Sequence, residues 1–354
     1  MKKQILLFLI VFSVFLLGCS GGGFSNPFGS ASSAKPAEIN FYTGTQGVIA
    51  EFSKNAPPQS SMQDSSFPIL IRVRNLGAYD VKKGIISLGM EKDYAKILTA
   101  DPNPRLGIFN KNENAIPFEL DGKSQTNKKG DEVYVSLNAQ TGKLDPQSET
   151  HQSTVTATLC YPYQTTASAT ICIDSDPAGI RPGNKVCKVQ DISFSSGQGA
   201  PIAVTKIESQ MVPREDNKIN PQFLIYVENR GGGDAVNPDS YENACSSSAP
   251  AALSSGNANK NIWNSAFIEV YNSAGQGENQ LICCPNINSE CKENTVDKRG
   301  FLKFKDKKDF VRCTFSEGKD RNIDAYTSPL KIVVKYGYVQ SIAANFEIKK
   351  PLKY

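Results

Sequence analysis

The chain has 354 residues, nine cysteines, one histidine and a formal net charge of +4. Loss of Lys2 and Lys3 with an N-terminal leader brings that charge to +2, and no basic cluster with interleaved aromatics occurs, so a nucleic-acid partner is not expected. With His151 the sole imidazole and no CxxC pair, the usual zinc sites are not expected either.

Met1-Lys2-Lys3, an apolar run from Ile5 to Leu17 and then Gly18-Cys19 make a signal peptide over residues 1–18. A membrane-spanning helix needs about 20 apolar residues, and this run is shorter. Leu16-Leu17-Gly18-Cys19 resembles a bacterial-type lipobox, in which cleavage leaves Cys19 as a lipid-modified N-terminus. An uncleaved anchor, or an ordinary signal with an incidental cysteine, are the alternatives. Residues 19–37 are mainly Ser, Gly, Pro and Ala, a composition that buries no core and behaves as a flexible tether. The expected location is extracellular, anchored to the outer face of the cytoplasmic membrane or the cell envelope.

From residue 38 onward short runs of Val, Ile, Phe and Tyr alternate with polar residues and are punctuated by Gly, Asn and Pro. Ile69–Val73, Glu132–Leu137 and Ser265–Tyr271 are examples. This predicts an all-β fold with one unit at 38–175 and a second at 186–354. Residues 176–185, with Pro177, Gly179, Pro182 and Gly183, read as the linker.

The two units overlay. Ile69–Gly77 lies over Phe223–Gly231 at an offset of 154, each a strand ending in Asn-x-Gly, a turn signature in which both residues tolerate positive φ. Ser153–Tyr163 and Ala169–Ile173 lie over Ser328–Tyr338 and Ala344–Ile348 at an offset of 175. The second unit therefore carries about 21 extra residues, the difference between the offsets. If each matched end is a hairpin turning near Thr166 or Ser341, Cys160 faces Cys172 on the outer face and the pair forms a disulfide. Cys187, Cys245, Cys283, Cys284, Cys291 and Cys313 then form up to three more, with pairing undetermined, stapling an insertion at about 240–315.

The strand-Asn-x-Gly segments, with Asn55-Ala56-Pro57-Pro58, Asn75–Asp80 and Leu159–Tyr163, resemble CARDB-like and related immunoglobulin-like β-sandwich domains of archaeal and bacterial surface proteins. They also resemble secreted proteins of small-genome archaea. The resemblance covers most of 38–175 and the framework strands of 186–354. It implies two tandem antiparallel sandwiches, the second bearing the disulfide-rich insertion.

Catalytic chemistry has few candidates. His151 has no Gly-x-Ser-x-Gly elbow and reads as a surface histidine. Gly231-Gly232-Gly233 lacks a phosphate-loop context, and Asp174-Ser175-Asp176 and Glu215-Asp216-Asn217 lack the spacing of a calcium loop. Tyr161, Tyr163, Tyr336 and Tyr338 fall on the core face. Trp263, flanked by polar residues, is the weak candidate for an exposed contact, with packing in the insertion as the alternative. No catalytic residue, metal or cofactor is assigned. The expected function is non-enzymatic: an adhesion, binding or structural module with a protein or glycan partner. Self-assembly through edge strands, or an extracellular hydrolase or its accessory domain, are the alternatives.

Overall fold

The structure, a computed structural model, describes residues 41–245, 262–272, 279–284 and 297–351. The expectations placed on the leader, on Cys19 and the tether, and on Cys291 lie outside the described residues. In the first half the period-two runs form β1 (Val48–Phe52), β2 (Ser60–Met62), β3 (Ser66–Asn75), β4 (Val81–Gly89), β5 (Ala95–Ala100), β6 (Ala115–Leu120), β7 (Glu132–Thr141) and β8 (Thr150–Ile173). The second half opens with β9 (Ile192–Ser193), β10 (Ile202–Pro213), β11 (Lys218–Asn229), β12 (Asp234–Val236) and a short helix, α1 (Tyr241–Cys245). It continues with β13 (Ser265–Asn272), β14 (Asn279–Gln280), β15 (Ile282–Cys284), β16 (Gly300–Lys303), β17 (Lys308–Thr314), β18 (Lys319–Asp320) and β19 (Tyr326–Lys349).

These strands build three sheets. One runs β1-β3-β7-β5 and belongs to the first half; another runs β15-β17-β11-β10-β9 and belongs to the second. The third has the order β14-β13-β19-β8-β4-β6 and takes strands from both. Pairing is antiparallel except where β2 runs parallel to β19. Strict alternation sets the inner faces. In β3, Phe67, Ile69, Ile71 and Val73 are buried, while Arg72 faces Glu51 and Glu132 outside. Phe67 meets Phe346 of β19 at 4.9 Å between ring centroids, joining the first sheet to the shared one. A single apolar cluster collects side chains from all three sheets. Each fully buried Ile, Leu or Phe in it contributes about 1.5–3 kcal/mol.

The predicted hairpins at Thr166 and Ser341 do not form. β8 and β19 are each 24 residues long and pair with one another, from Thr150 opposite Lys349 to Ile173 opposite Tyr326. Gln164-Thr165-Thr166 carries no Gly, Asn or Pro, and β-branched threonines favour an extended chain. Alternation also continues unbroken, with Leu159, Tyr161, Tyr163, Thr165 and Ala167 all buried. The offset of 175 maps Pro162 onto Gly337, and these two are register partners, so a local two-fold axis passes between them. Residues 40–354 accordingly form one compact unit.

The absence of hairpins corrects the cysteine pairing. Cys160 and Cys172 lie twelve positions apart on one extended strand and cannot meet. Cys160 is bonded to Cys245, Cys172 to Cys187, and Cys283 to Cys313. Cys284 is also disulfide-bonded. The 176–185 segment is thus part of a loop whose return is stapled by Cys187. Asp176 accepts the backbone N–H groups of Ile180 and Arg181, and Lys185 Nζ donates to Asp174.

Candidate functional site

Four tyrosines surround the local two-fold axis, and they build the scaffold for everything outside it. Tyr161 and Tyr338 are register partners with ring centroids 5.9 Å apart, and Tyr163 and Tyr336 are partners at 6.2 Å. Tyr163 Oη donates to Asn75 Oδ1 at 3.1 Å, and Tyr338 Oη donates to Asn229 Oδ1 at 3.2 Å. The same oxygens accept the N–H groups of Gly77 and Gly231. Val48 N–H and Ile202 N–H, again 154 apart, donate to the hydroxyls of Tyr161 and Tyr336. The Asn-x-Gly motif is therefore an anchor point for a tyrosine. Neither the Asn nor the Gly of either copy has positive φ. A Cβ on Gly77 or Gly231 would lie about 2 Å from the hydroxyl of Tyr163 or Tyr338, and close approach is what requires glycine there. Burial pushes all four phenols up, Tyr338 to about 12.

The insertion interrupts the counterpart of β4. Val81 corresponds to Ala235 of β12 at the offset of 154, while Ile86 and Ile268 of β13 occupy matching places beside Leu159 and Val334. Residues 237–264 lie between the two in sequence, and of these 237–245 and 262–264 are described. Asn237 starts this segment by accepting Asp239 N–H in an Asx turn, and α1 follows. Cys245 is tied to Cys160 on the outer face of β8. Tyr241 and Cys245 bury themselves with Cys160, Val236 and Val339, against Ile85, Ala244, Ile262 and Trp263. Gly337 lets the helix approach, since a Cβ there would meet Tyr241 Cβ at 2.5 Å. Burial, reinforced by Glu242 beside it, pushes the Tyr241 phenol up to about 12. Trp263 is half-buried in this packing, and its carbonyl accepts Lys303 Nζ at 2.6 Å.

Beside α1 a groove of about 490 Å³ opens on the outer surface. Tyr241 and Glu242, Pro104 to Gly107, Lys82 to Ile85 and Pro117 to Glu119 line it. Lys82 and Arg105 both pair with Asp121, and Arg105 also pairs with Asp131 at 2.6 Å. The Lys82 ammonium holds the Asp121 carboxyl below its usual range. Sequence reasoning named none of these groove residues, because they come from both halves and only the shared sheet brings them together.

The remaining candidates are spread apart. His151 Nε2 lies 2.7 Å from Glu91 Oε2, and its ring stacks on Tyr94 at 3.7 Å, on the exposed start of β8. Asp216 pairs with Arg214 and Lys218 in a turn. A cavity of about 690 Å³ lies by the Cys172–Cys187 staple, lined by Asp174, Lys185, Val189 and Met211 among others. Among the described residues, no three His, Cys, Asp or Glu side chains converge as a metal site would require, and no helix is long and apolar enough to cross a membrane.

No family model and no curated protein matches the chain. Among solved structures, a type I cohesin–dockerin complex from Clostridium thermocellum is similar over 34% of this chain and 85% of that chain, at 12% identity and a TM-score of 0.24. Sheets and staples together define the class: an all-β protein of antiparallel sheets whose disulfides belong to an oxidising, extracellular setting.

Proposed function

We propose that this is a non-enzymatic surface module, lipid-anchored through Cys19, that binds a protein or glycan partner through the insertion and the groove beside α1. In this reading the chain is a tandem of two immunoglobulin-like repeats, in keeping with the CARDB-like resemblance of its Asn-x-Gly strands. The observation that carries the proposal is the Cys160–Cys245 staple. It fixes α1 onto the outer face of an otherwise regular sheet, and connecting segments held on a rigid scaffold are where recognition is usually placed. A mixed-charge groove with Lys82, Lys83, Arg105, Glu119 and Glu242 suits a polar partner.

The test is photo-cross-linking on intact cells, with the reactive side chain placed at Lys83 or Glu242 and, as a control, at Tyr134 on the opposite sheet. Links from the first two sites to a different surface protein or glycan, absent from Tyr134, support the proposal. Links mainly to copies of the same chain would replace it with a self-assembling envelope subunit. Equal labelling from all three sites would remove the groove from the account.

A further inference from the structure

The internal repeat allows each half to be used as a control for the other, and at one place they differ in kind. Ile69 and Phe223 are equivalent at the offset of 154, and their partners on the next strand are Leu137 and Cys313. Those in turn pair with Ala100 of β5 and Cys283 of β15. On the shared sheet, Leu159 and Val334 are equivalent at the offset of 175. They lead through Ile86 and Ile268 to Ile116 of β6 and Gly300 of β16. Ala100 and Ile116 in the first half therefore match Cys283 and Gly300 in the second.

In the second half the described residues at these positions pack closely. A Cβ added to Gly300 would lie 2.9 Å from Cys283 Cβ and 2.8 Å from Val311, and the Cys283–Cys313 disulfide closes the strand behind it. In the first half the glycine is replaced by Ile116 and the bonded cysteine by Ala100. The sheet edges stand apart there, and a slot of about 410 Å³ opens between them. Ala100, Leu106, Phe109 and Ile116 give it an apolar lining, and Asp101 and Lys111 contribute one charge of each sign.

The loop over the slot is fastened. Gly107 N–H donates to Pro117 O, Glu119 N–H to Arg105 O, and Asn110 and Ala115 exchange backbone hydrogen bonds. Ile108 stands at the mouth with 92% of its surface exposed, the most exposed of the large hydrophobic side chains described. A preformed apolar cavity in the usual size range for small molecules, with an uncovered isoleucine at its lip, has the features of a ligand site.

We propose that the lateral slot of the first half binds a small, uncharged, apolar molecule, which covers Ile108 when bound. The opposed charges of Asp101 and Lys111 give no preference for an ion, and the lining offers hydrocarbon. This site shares Leu106 and Gly107 with the groove beside α1 but does not rest on that groove's being a binding surface.

The test titrates the mature chain with N-phenyl-1-naphthylamine, an uncharged fluorescent naphthalene, with stoichiometry from calorimetry. Saturable binding of one probe per chain is expected, weakened at least tenfold by Ala100→Trp, which fills the slot from its floor. Ile108→Lys, in an exposed loop where folding is indifferent to it, is expected to weaken binding several-fold. The proposal is overturned by absence of saturable binding, or by equal affinity in the wild type and both variants. It is also overturned if sedimentation shows a dimer that Ile108→Lys dissociates, since a second copy would then be the occupant.

Discussion

Asn75 and Asn229 each tie a chain corner to a core tyrosine through one side-chain amide. Asn75 Nδ2 donates to the carbonyls of Tyr79 and Leu120, and its Oδ1 accepts from Gly77 and Tyr163. Asn75→Ala strands several buried polar groups at once and is expected to cost about 3 kcal/mol, since each unsatisfied group costs about 1–3. Tyr163→Phe leaves Asn75 bonded to Gly77 and is expected to cost about 1 kcal/mol. Urea unfolding of both variants and of the double variant measures the difference and the coupling. The same tyrosines set an alkaline limit. Their folded-state pKa values lie above 10, so their contribution is complete below pH 10 and is lost as pH rises further, when the unfolded chain releases protons that the folded one retains. Absorbance at 295 nm should show these phenols ionising together with unfolding, not before it. At the acid end the sign reverses for Asp176. The N–H groups of Arg181 and Ile180 depress its pKa, so its contribution is present above the ordinary aspartate range and disappears as pH falls below it.

Elements were legible where alternation was regular. The strands at 69–73, 132–137 and 265–271 follow from their residues. The face of each core tyrosine and the outward position of Cys160 also follow from period two. The partner of each strand did not, because two segments that match one another read equally well as two hairpins or as one ladder. Cysteine pairing inherited that ambiguity, and with it the insertion's place on the first half. The purpose of Asn-x-Gly was hidden for a related reason: its tyrosine lies 88 or 109 residues away. The staples differ in their expected weight. Cys160–Cys245 closes 85 residues and Cys172–Cys187 closes 15, so the chain-entropy model gives about 4.5 and about 3 kcal/mol. Replacing the first bridge by a pair of serines should therefore lower the denaturation midpoint further than replacing the second, and should also free α1 from the groove.

At the scale of the whole molecule, β8 and β19 make the repeats interdependent. Each strand begins over one half's own sheet and ends over the other's, crossing at Pro162 and Gly337. Phe346, near the C-terminal end of β19, packs on Phe67 of the first half, while Thr165 Oγ1 in β8 donates to Ile202 O of the second. The shared ladder holds groove and slot in one compact unit, at fixed positions on the same sheets. Native-state hydrogen exchange followed by mass spectrometry tests the arrangement most directly. Amides flanking the crossing in β8 and β19 should exchange slowest, and peptides from β3 and from β11 should lose protection in one cooperative event at the same denaturant concentration. Loss of protection in β11 while β3 stays protected, or the reverse, would contradict the account and leave two independent domains in its place.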